Sequence, residues 1–130
     1  MLDTHVWIWS QESPERLGPR ATRALLAAAN QNAVCTISAL KIARLAAVRA
    51  IELRVPLSAW IERSLTELAA QSLPVTHEIA AEAYALPTPF HKDPLDRVLV
   101  AAARRHQLTL ITADDRILRY HEVRTLDARR

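Results

Sequence analysis

Glycine and cysteine are almost absent from this sequence, which contains one of each among 130 residues, Gly18 and Cys35. With a single glycine the chain has no glycine-rich loop of the kind that cradles nucleotide phosphates. With a single cysteine it cannot form an internal disulfide, and the apolar neighbours of Cys35 indicate a small buried hydrophobe with no redox role. We therefore expect neither phosphate binding by a glycine-rich loop nor disulfide chemistry.

Long apolar runs are also absent. Arg, Glu or Pro interrupts each run well before the roughly 18 residues needed to cross a bilayer, and no basic leader precedes an apolar block. We expect a cytoplasmic protein without membrane association. Half of the residues are hydrophobic and 24% are charged, an ordinary composition for a folded chain. The length fits a single domain, residues 1–130.

The charge balance is only slightly basic. A net charge of +3 is too small to identify a nucleic-acid partner without a localised patch. Arginine predominates among the basic residues, however: fifteen are arginines, and only Lys41 and Lys92 are lysines. Each lysine is therefore unusual for this composition.

Apolar patterning predicts strands that alternate with helices. We expect strands ending near Asp3 and at 33–37, 108–112 and 123–126, the last at a sheet edge. We expect helices after Asp3 and at 20–29, 41–47, 57–71 and 78–85, with Ser38 as an N-cap. Asp93 before Pro94 predicts a further helix start that leads through residue 103. This order predicts an α/β domain with a mainly parallel sheet of four to five strands and helices on both faces.

Five of the six aspartates fall where predicted strands end or helices begin. They are Asp3, Asp93, Asp96, Asp114 and Asp115. Parallel topology gathers such positions at one edge of the sheet, where ligands bind. Clustered carboxylates repel one another unless a cation lies among them, and oxygen ligands suit Mg²⁺ or Mn²⁺. A metal of this kind activates water for in-line cleavage of a phosphodiester without a covalent nucleophile.

Each of these aspartates also has a simpler interpretation. Capping alone explains Asp93, and Asp96 at the third helical position favours the helix dipole without any ligand. Asp3 could be a solvated loop residue. Asp114 and Asp115 could end a strand and cap a short helix.

Other polar and aromatic residues carry weaker signals. His5 and His91 lack metal-binding spacing and are interpreted as structural or substrate-contacting. Three tryptophans with apolar neighbours indicate core or dimer-interface positions rather than base-stacking platforms, namely Trp7, Trp9 and Trp60. Four arginines could contact an RNA backbone or lie in a solvated surface, namely Arg97, Arg104, Arg105 and Arg116.

Three motifs together resemble the PIN-domain ribonucleases and, within them, the VapC toxins of toxin–antitoxin pairs. They are Leu-Asp-Thr-His at 2–5, His-Lys-Asp-Pro-Leu-Asp-Arg at 91–97 and Leu-Ile-Thr-Ala-Asp at 110–114. The resemblance spans nearly the whole chain and implies a three-layer α/β/α PIN-like fold. It also implies a Mg²⁺- or Mn²⁺-dependent endoribonuclease toxin, an RNA substrate, a VapB-like antitoxin and a homodimer.

The resemblance assigns the metal and catalytic acids residue by residue. Asp3 matches the first acid, Asp96 the acid that opens the long helix, and Asp114 the last acid. We name five supporting positions, Thr4, Ser38, Asp93, Thr112 and Asp115. Arg97 and Arg116 are named as RNA contacts.

The family's second acid is missing. Residues 38–43 read Ser-Ala-Leu-Lys-Ile-Ala, so Lys41 stands where the family has glutamate. Glutamate there would complete a capping box with Ser38, whereas lysine places a cation near the positive helix end. We interpret Lys41 as an acquired or introduced inactivating substitution that weakens metal binding.

Two other functions compete with this interpretation. The first is a natural non-catalytic PIN domain that binds antitoxin or RNA, for which Lys41 is the main support. The second is another metal-dependent phosphohydrolase that acts on DNA or on a small phosphate ester. The intact set of three aspartates argues against long-standing loss of activity.

Overall fold

The computed structural model describes every residue from 1 to 130. Its strands are β1 (Ala33–Cys35), β2 (Gln71–Leu73), β3 (Leu110–Thr112) and β4 (Thr125–Asp127). Both strand pairs, β1 with β2 and β3 with β4, are parallel. Leu2 forms parallel bridges to Val34 and to Ile111, so the first residues lie between β1 and β3 and join the two halves of the sheet. The resulting order is β2, β1, Leu2, β3 and β4.

Seven α-helices connect and flank these strands. They are α1 (Thr4–Glu12), α2 (Pro19–Leu26), α3 (Thr36–Ala47), α4 (Leu57–Glu67), α5 (His77–Glu82), α6 (Pro94–Arg105) and α7 (Asp115–Leu118). A 3₁₀ turn at Pro14–Arg16 separates the first two. None of these helices combines the length and the apolar character that crossing a bilayer would require.

Successive strand residues face opposite sides of the sheet and enter two separate cores. Ala33, Cys35 and Leu110 belong to one core, which is completed by apolar side chains of α5 and α6. Val34 and Ile111 belong to the other, which is completed by side chains of α1 to α4. The domain therefore has the three-layer α/β/α architecture that the sequence predicted.

Two of the tryptophans occupy the second core. Trp7 and Trp60 are buried with ring centroids 5.3 Å apart, and the indole N–H of Trp7 donates to Ser64 Oγ at 2.9 Å. Trp9 is only half-buried and lies beneath the guanidinium of Arg16. The prediction that these rings serve packing is confirmed for Trp7 and Trp60.

The start of α3 differs from its prediction. The helix begins at Thr36 with Cys35 as its N-cap, so Ser38 is the third helical residue and does not cap. The predicted capping box between Ser38 and position 41 is therefore wrong, because Lys41 is the sixth helical residue. Ser38 is instead fully buried and accepts a hydrogen bond from the Thr4 hydroxyl at 2.9 Å.

The strand β2 was not predicted. Residue 71 was assigned to the end of a helix over 57–71, but α4 ends at Glu67 and Gln71 already pairs with Ala33. Ala69 adopts a positive φ of 47° just after the helix. Glycine is the usual residue at such a position. Because alanine stands there instead, the sequence carries no signal that the helix ends before residue 71.

Candidate metal centre

Three aspartates reach the carboxyl edge of the sheet from distant segments of the chain. Asp3 directly follows the Leu2 bridge, Asp114 follows β3, and Asp96 lies in the first turn of α6. Asp3 is only 4% exposed and Asp96 only 2%. Burial of two carboxylates at a ligand-binding edge is costly unless partners or a cation compensate their charge.

Hydroxyl and amide groups fix the orientation of Asp3. Its Oδ1 caps α1 by accepting from the Thr4 amide at 2.6 Å, and its Oδ2 accepts from the Thr112 hydroxyl at 2.6 Å. The Thr4 hydroxyl in turn donates to Ser38. Three of the predicted supporting residues, Thr4, Ser38 and Thr112, therefore form a buried network around the first acid.

We expect Thr112→Val to lower the free energy of unfolding by about 1–3 kcal/mol, because the variant keeps the shape but removes a buried hydrogen bond. The Thr112 hydroxyl also accepts from the Asp114 amide at 3.0 Å, so one substitution loosens two acids. Urea unfolding measures the loss. Thr66→Val is the matched control, because its hydroxyl bonds only to an exposed helix carbonyl; an equal loss in both variants would contradict this role.

Asp96 carries the most perturbed carboxyl of the site. Its pKa is raised from 3.8 to about 6, mainly by burial and with smaller contributions from the charges of Asp3, Asp93 and Asp114, while Lys41 opposes the shift. The protein surroundings therefore stabilise the ionised form of Asp96 poorly. A divalent cation would compensate this charge.

His91 lies against Asp96. Its Nδ1 accepts from the Asp93 amide at 3.3 Å, so the proton of the neutral ring lies on Nε2. Nε2 is 3.1 Å from Asp96 Oδ2 and has no hydrogen bond of good geometry. Burial, and then Arg116, lower the pKa of His91, so the ring is neutral at pH 7 and the contact is not an ion pair.

Arg116 forms an ion pair with the carboxylate of Asp114. Its Nη2 lies 2.7 Å from Oδ2 and its Nε lies 3.1 Å from Oδ1, which is a bidentate pair. These bonds lower the pKa of Asp114. Nη2 is also 3.7 Å from Asp96 Oδ2, so the guanidinium stands between the two acids.

Lys41 lies on α3, half-buried, one helical turn after Ser38. Its positive charge lowers the pKa of Asp96 and contributes to the lowered pKa of His5, after the larger effect of burial on that ring. The ammonium of Lys41 therefore acts on Asp96, the carboxylate whose ionised form the protein stabilises least.

The remaining named residues have other surroundings. Asp93 caps α6 through the Leu95 amide at 2.9 Å, and exposed Asp115 pairs with Arg129 at 2.8 Å. Arg97 donates to three backbone carbonyls, those of Ala83, Phe90 and His91. These bonds commit Arg97 to holding the segment before α6, so its contacts favour a structural role over the RNA contact that we predicted.

The donor set suits a hard divalent cation. Ligand atoms of His91, Asp96 and Asp114 lie within 4.8 Å of one another. Carboxylate oxygens fit Mg²⁺ or Mn²⁺, and the imidazole nitrogen is more acceptable to Mn²⁺. His91 is the one member of this group that the sequence argument left without a metal role, although it opens the motif at 91–97. Its proximity to Asp96 depends on the turn before α6, which sequence spacing alone does not reveal.

Comparisons with known proteins identify a family and relatives for this chain. The PIN domain family model matches residues 1–123. Ribonuclease VapC22 of Mycobacterium tuberculosis (strain ATCC 25618 / H37Rv) is 35% identical over 117 residues, which cover 90% of this chain and 88% of that protein.

Two solved structures share the fold. The crystal structure of VapBC2 from Rickettsia felis bound to a DNA fragment from their promoter matches with a TM-score of 0.69 and 16% identity, over 97% of this chain and 96% of that one. A toxin–antitoxin complex from Klebsiella pneumoniae matches with a TM-score of 0.64 and 19% identity, over 98% and 95%. The matching family model and the VapC relative show that the chain belongs to the PIN-domain family and to its VapC group.

Proposed function

We propose that this chain is a Mg²⁺- or Mn²⁺-dependent endoribonuclease toxin whose activity Lys41 weakens. The observation that carries the proposal is the convergence of Asp3, Asp96 and Asp114, with Asp96 buried and its pKa raised to about 6. Buried carboxylates whose charge is poorly compensated are candidate functional groups. The name of the mycobacterial relative, a ribonuclease, supports RNA as the substrate.

Asp96 and Asp114 would hold the cation, with Asp3 completing the set, because Nε2 of His91 carries the ring proton while Nδ1 accepts from the Asp93 amide. When bound, a divalent ion supplies positive charge and activated water for in-line phosphodiester hydrolysis. Thr4 and Thr112 keep Asp3 in a fixed orientation through its two short hydrogen bonds. Arg116 must leave Asp114 when a cation binds there, and it can then contact the phosphate backbone of the substrate.

In this proposal Lys41 alone would weaken the activity, while the other residues of the site keep their places. Its ammonium contributes a positive charge where the family has a carboxylate, which both removes a ligand and repels a cation. The hydrogen-bond network of Asp3 does not involve Lys41. The orientation of Asp3 therefore does not depend on Lys41.

The same proposal includes protein partners. A VapB-like antitoxin is the expected inhibitor, because the fold is shared with chains from two toxin–antitoxin complexes. A homodimer is also proposed on the family resemblance.

A non-catalytic PIN domain that binds antitoxin or RNA is the second candidate. Lys41 favours it, since a cation near Asp96 can replace part of the charge that a metal would supply. In that case the chain would bind its partner without cutting RNA.

The test is cleavage of single-stranded RNA, DNA of the same sequence and nitrophenyl phosphate, each with Mn²⁺ or EDTA. We expect slow RNA cleavage that requires Mn²⁺ and at least about tenfold slower cleavage of DNA, which is the discrimination expected if the site recognises the 2′-hydroxyl of the substrate. Equal rates on DNA or on nitrophenyl phosphate would favour the general phosphohydrolase. If neither this chain nor its Lys41→Glu variant cleaves any of the substrates, the non-catalytic PIN domain is favoured.

A further inference from the structure

An open pocket of about 350 Å³ adjoins the carboxylates. Its lining consists of three rings, two arginines and a proline: Phe90, His91, Tyr120, Arg116, Arg119 and Pro89. The volume is at the small end of the range for ligand sites and suits a ligand of one nucleotide. No part of the hydrolytic proposal so far uses Phe90, Tyr120 or Arg119.

The pocket and the metal centre share a wall. His91 lines the pocket and approaches Asp96 at 3.1 Å, while Arg116 lines it and pairs with Asp114 at 2.7 Å. A ligand in the pocket would therefore lie one side chain away from the carboxylates.

The three rings form one packed group. The centroid of Phe90 is 4.3 Å from that of His91 and 4.6 Å from that of Tyr120. The Tyr120 hydroxyl donates to the Thr88 carbonyl at 2.9 Å, which fixes its ring. Tyr120 is only 7% exposed and belongs to the core, so the half-buried rings of Phe90 and His91 are the ones that a base can reach. Rings held in place offer a stacking surface at low entropic cost, and every base has a face that can stack.

The two arginines differ in their partners. Arg116 is paired with Asp114, whereas exposed Arg119 takes part in none of the ion pairs of the chain. An unpaired guanidinium beside a ring cluster is suited to bind phosphate in a bidentate manner. Acidic peptides could use the arginine, but they would leave the rings without a function.

We propose that this pocket is a nucleotide subsite, which takes the base of one RNA nucleotide against the rings and its phosphate against Arg119. The inference rests on the proposed ribonuclease function and adds the part of the substrate that is recognised beside the scissile bond. Phe90 and Arg119 are the residues that would set the binding of that nucleotide.

Titration of the full chain with uridine and adenosine 5′-monophosphates in EDTA, followed by NMR, tests the subsite without metal or catalysis. Arg119→Gln is expected to weaken binding about tenfold, as for loss of a charge-assisted contact. Phe90→Leu is expected to weaken both monophosphates but to leave the weaker binding of inorganic phosphate unchanged. Arg23→Gln is the matched control, because Arg23 is an exposed arginine of α2 outside this pocket.

The outcomes separate the two proposals. Binding that Arg119→Gln weakens and Arg23→Gln does not supports the subsite, even if the chain cuts no RNA. Absence of nucleotide binding, or equal binding by parent, Arg119→Gln and Arg23→Gln, overturns the subsite, even if RNA is cleaved. Since Arg119 is exposed, its variant should fold, and an unchanged amide spectrum away from the pocket verifies this.

Discussion

Lys41→Glu is expected to raise the affinity for Mn²⁺ by about 10- to 100-fold, the range typical for changes around a metal site. The change replaces a cation that acts on Asp96 with a carboxylate at the position of the family's second acid. RNA cleavage in Mn²⁺ should rise with metal occupancy. Calorimetry of Mn²⁺ binding and a cleavage assay, performed on both chains, measure the two effects.

Two further variants show which property of position 41 matters. Lys41→Gln removes the cation without adding a ligand, so its metal affinity should lie between those of the parent and the glutamate variant. Arg44→Glu makes the same charge change at an exposed position of α3, and it should leave Mn²⁺ affinity within about twofold, because surface charges are well screened. Similar affinities for the parent and Lys41→Glu would refute our account of Lys41.

Asp96→Asn is expected to stabilise the metal-free chain by up to about 3 kcal/mol at pH 7, since each pKa unit corresponds to about 1.4 kcal/mol. The folded chain holds the Asp96 proton up to a pKa of about 6, whereas the unfolded value is 3.8. Because the folded state then binds more protons, stability falls as pH rises from about 4 to 6. Asparagine cannot ionise, so it removes this loss.

Urea unfolding of both chains in EDTA at pH 4 and at pH 7 provides the measurement. The two chains should be similar at pH 4 and should differ most at pH 7. Asp115→Asn, at an exposed carboxylate paired with Arg129, is the control and should change stability by less than about 1 kcal/mol. A destabilised Asp96→Asn chain at pH 7 would mean that its carboxylate is well compensated without metal.

The central strands and the main helix were predictable because local signals and tertiary packing agree there. The apolar runs at 33–37 and 108–112 were predicted as strands and contain β1 and β3, although Thr36 and Ile37 begin α3 instead, and Asp93 with Pro94 starts α6. The burial of Asp96 was not predictable from the same motif. A helix-start aspartate is usually solvated, and only the packing of α6 against the sheet removes this one from water.

The partners of the site residues were the least predictable part. Sequence spacing placed Asp114 at a strand end, but it gave no means to see that Arg116, two residues later, would occupy its carboxylate. The same holds for His91, whose ring depends on a bond from the Asp93 amide. Such contacts are decided by competition among nearby donors, and many donor pairings are compatible with one sequence.

The bond between Thr112 and Asp3 joins residues 109 positions apart. During synthesis Leu2 is made long before its sheet neighbour Ile111. The middle of the sheet therefore cannot form until β3 has been synthesised. Contacts this distant in sequence form late. A chain that stops before Thr112 therefore leaves Asp3 with only the local bond from the Thr4 amide, and the second bond that fixes this carboxylate is missing.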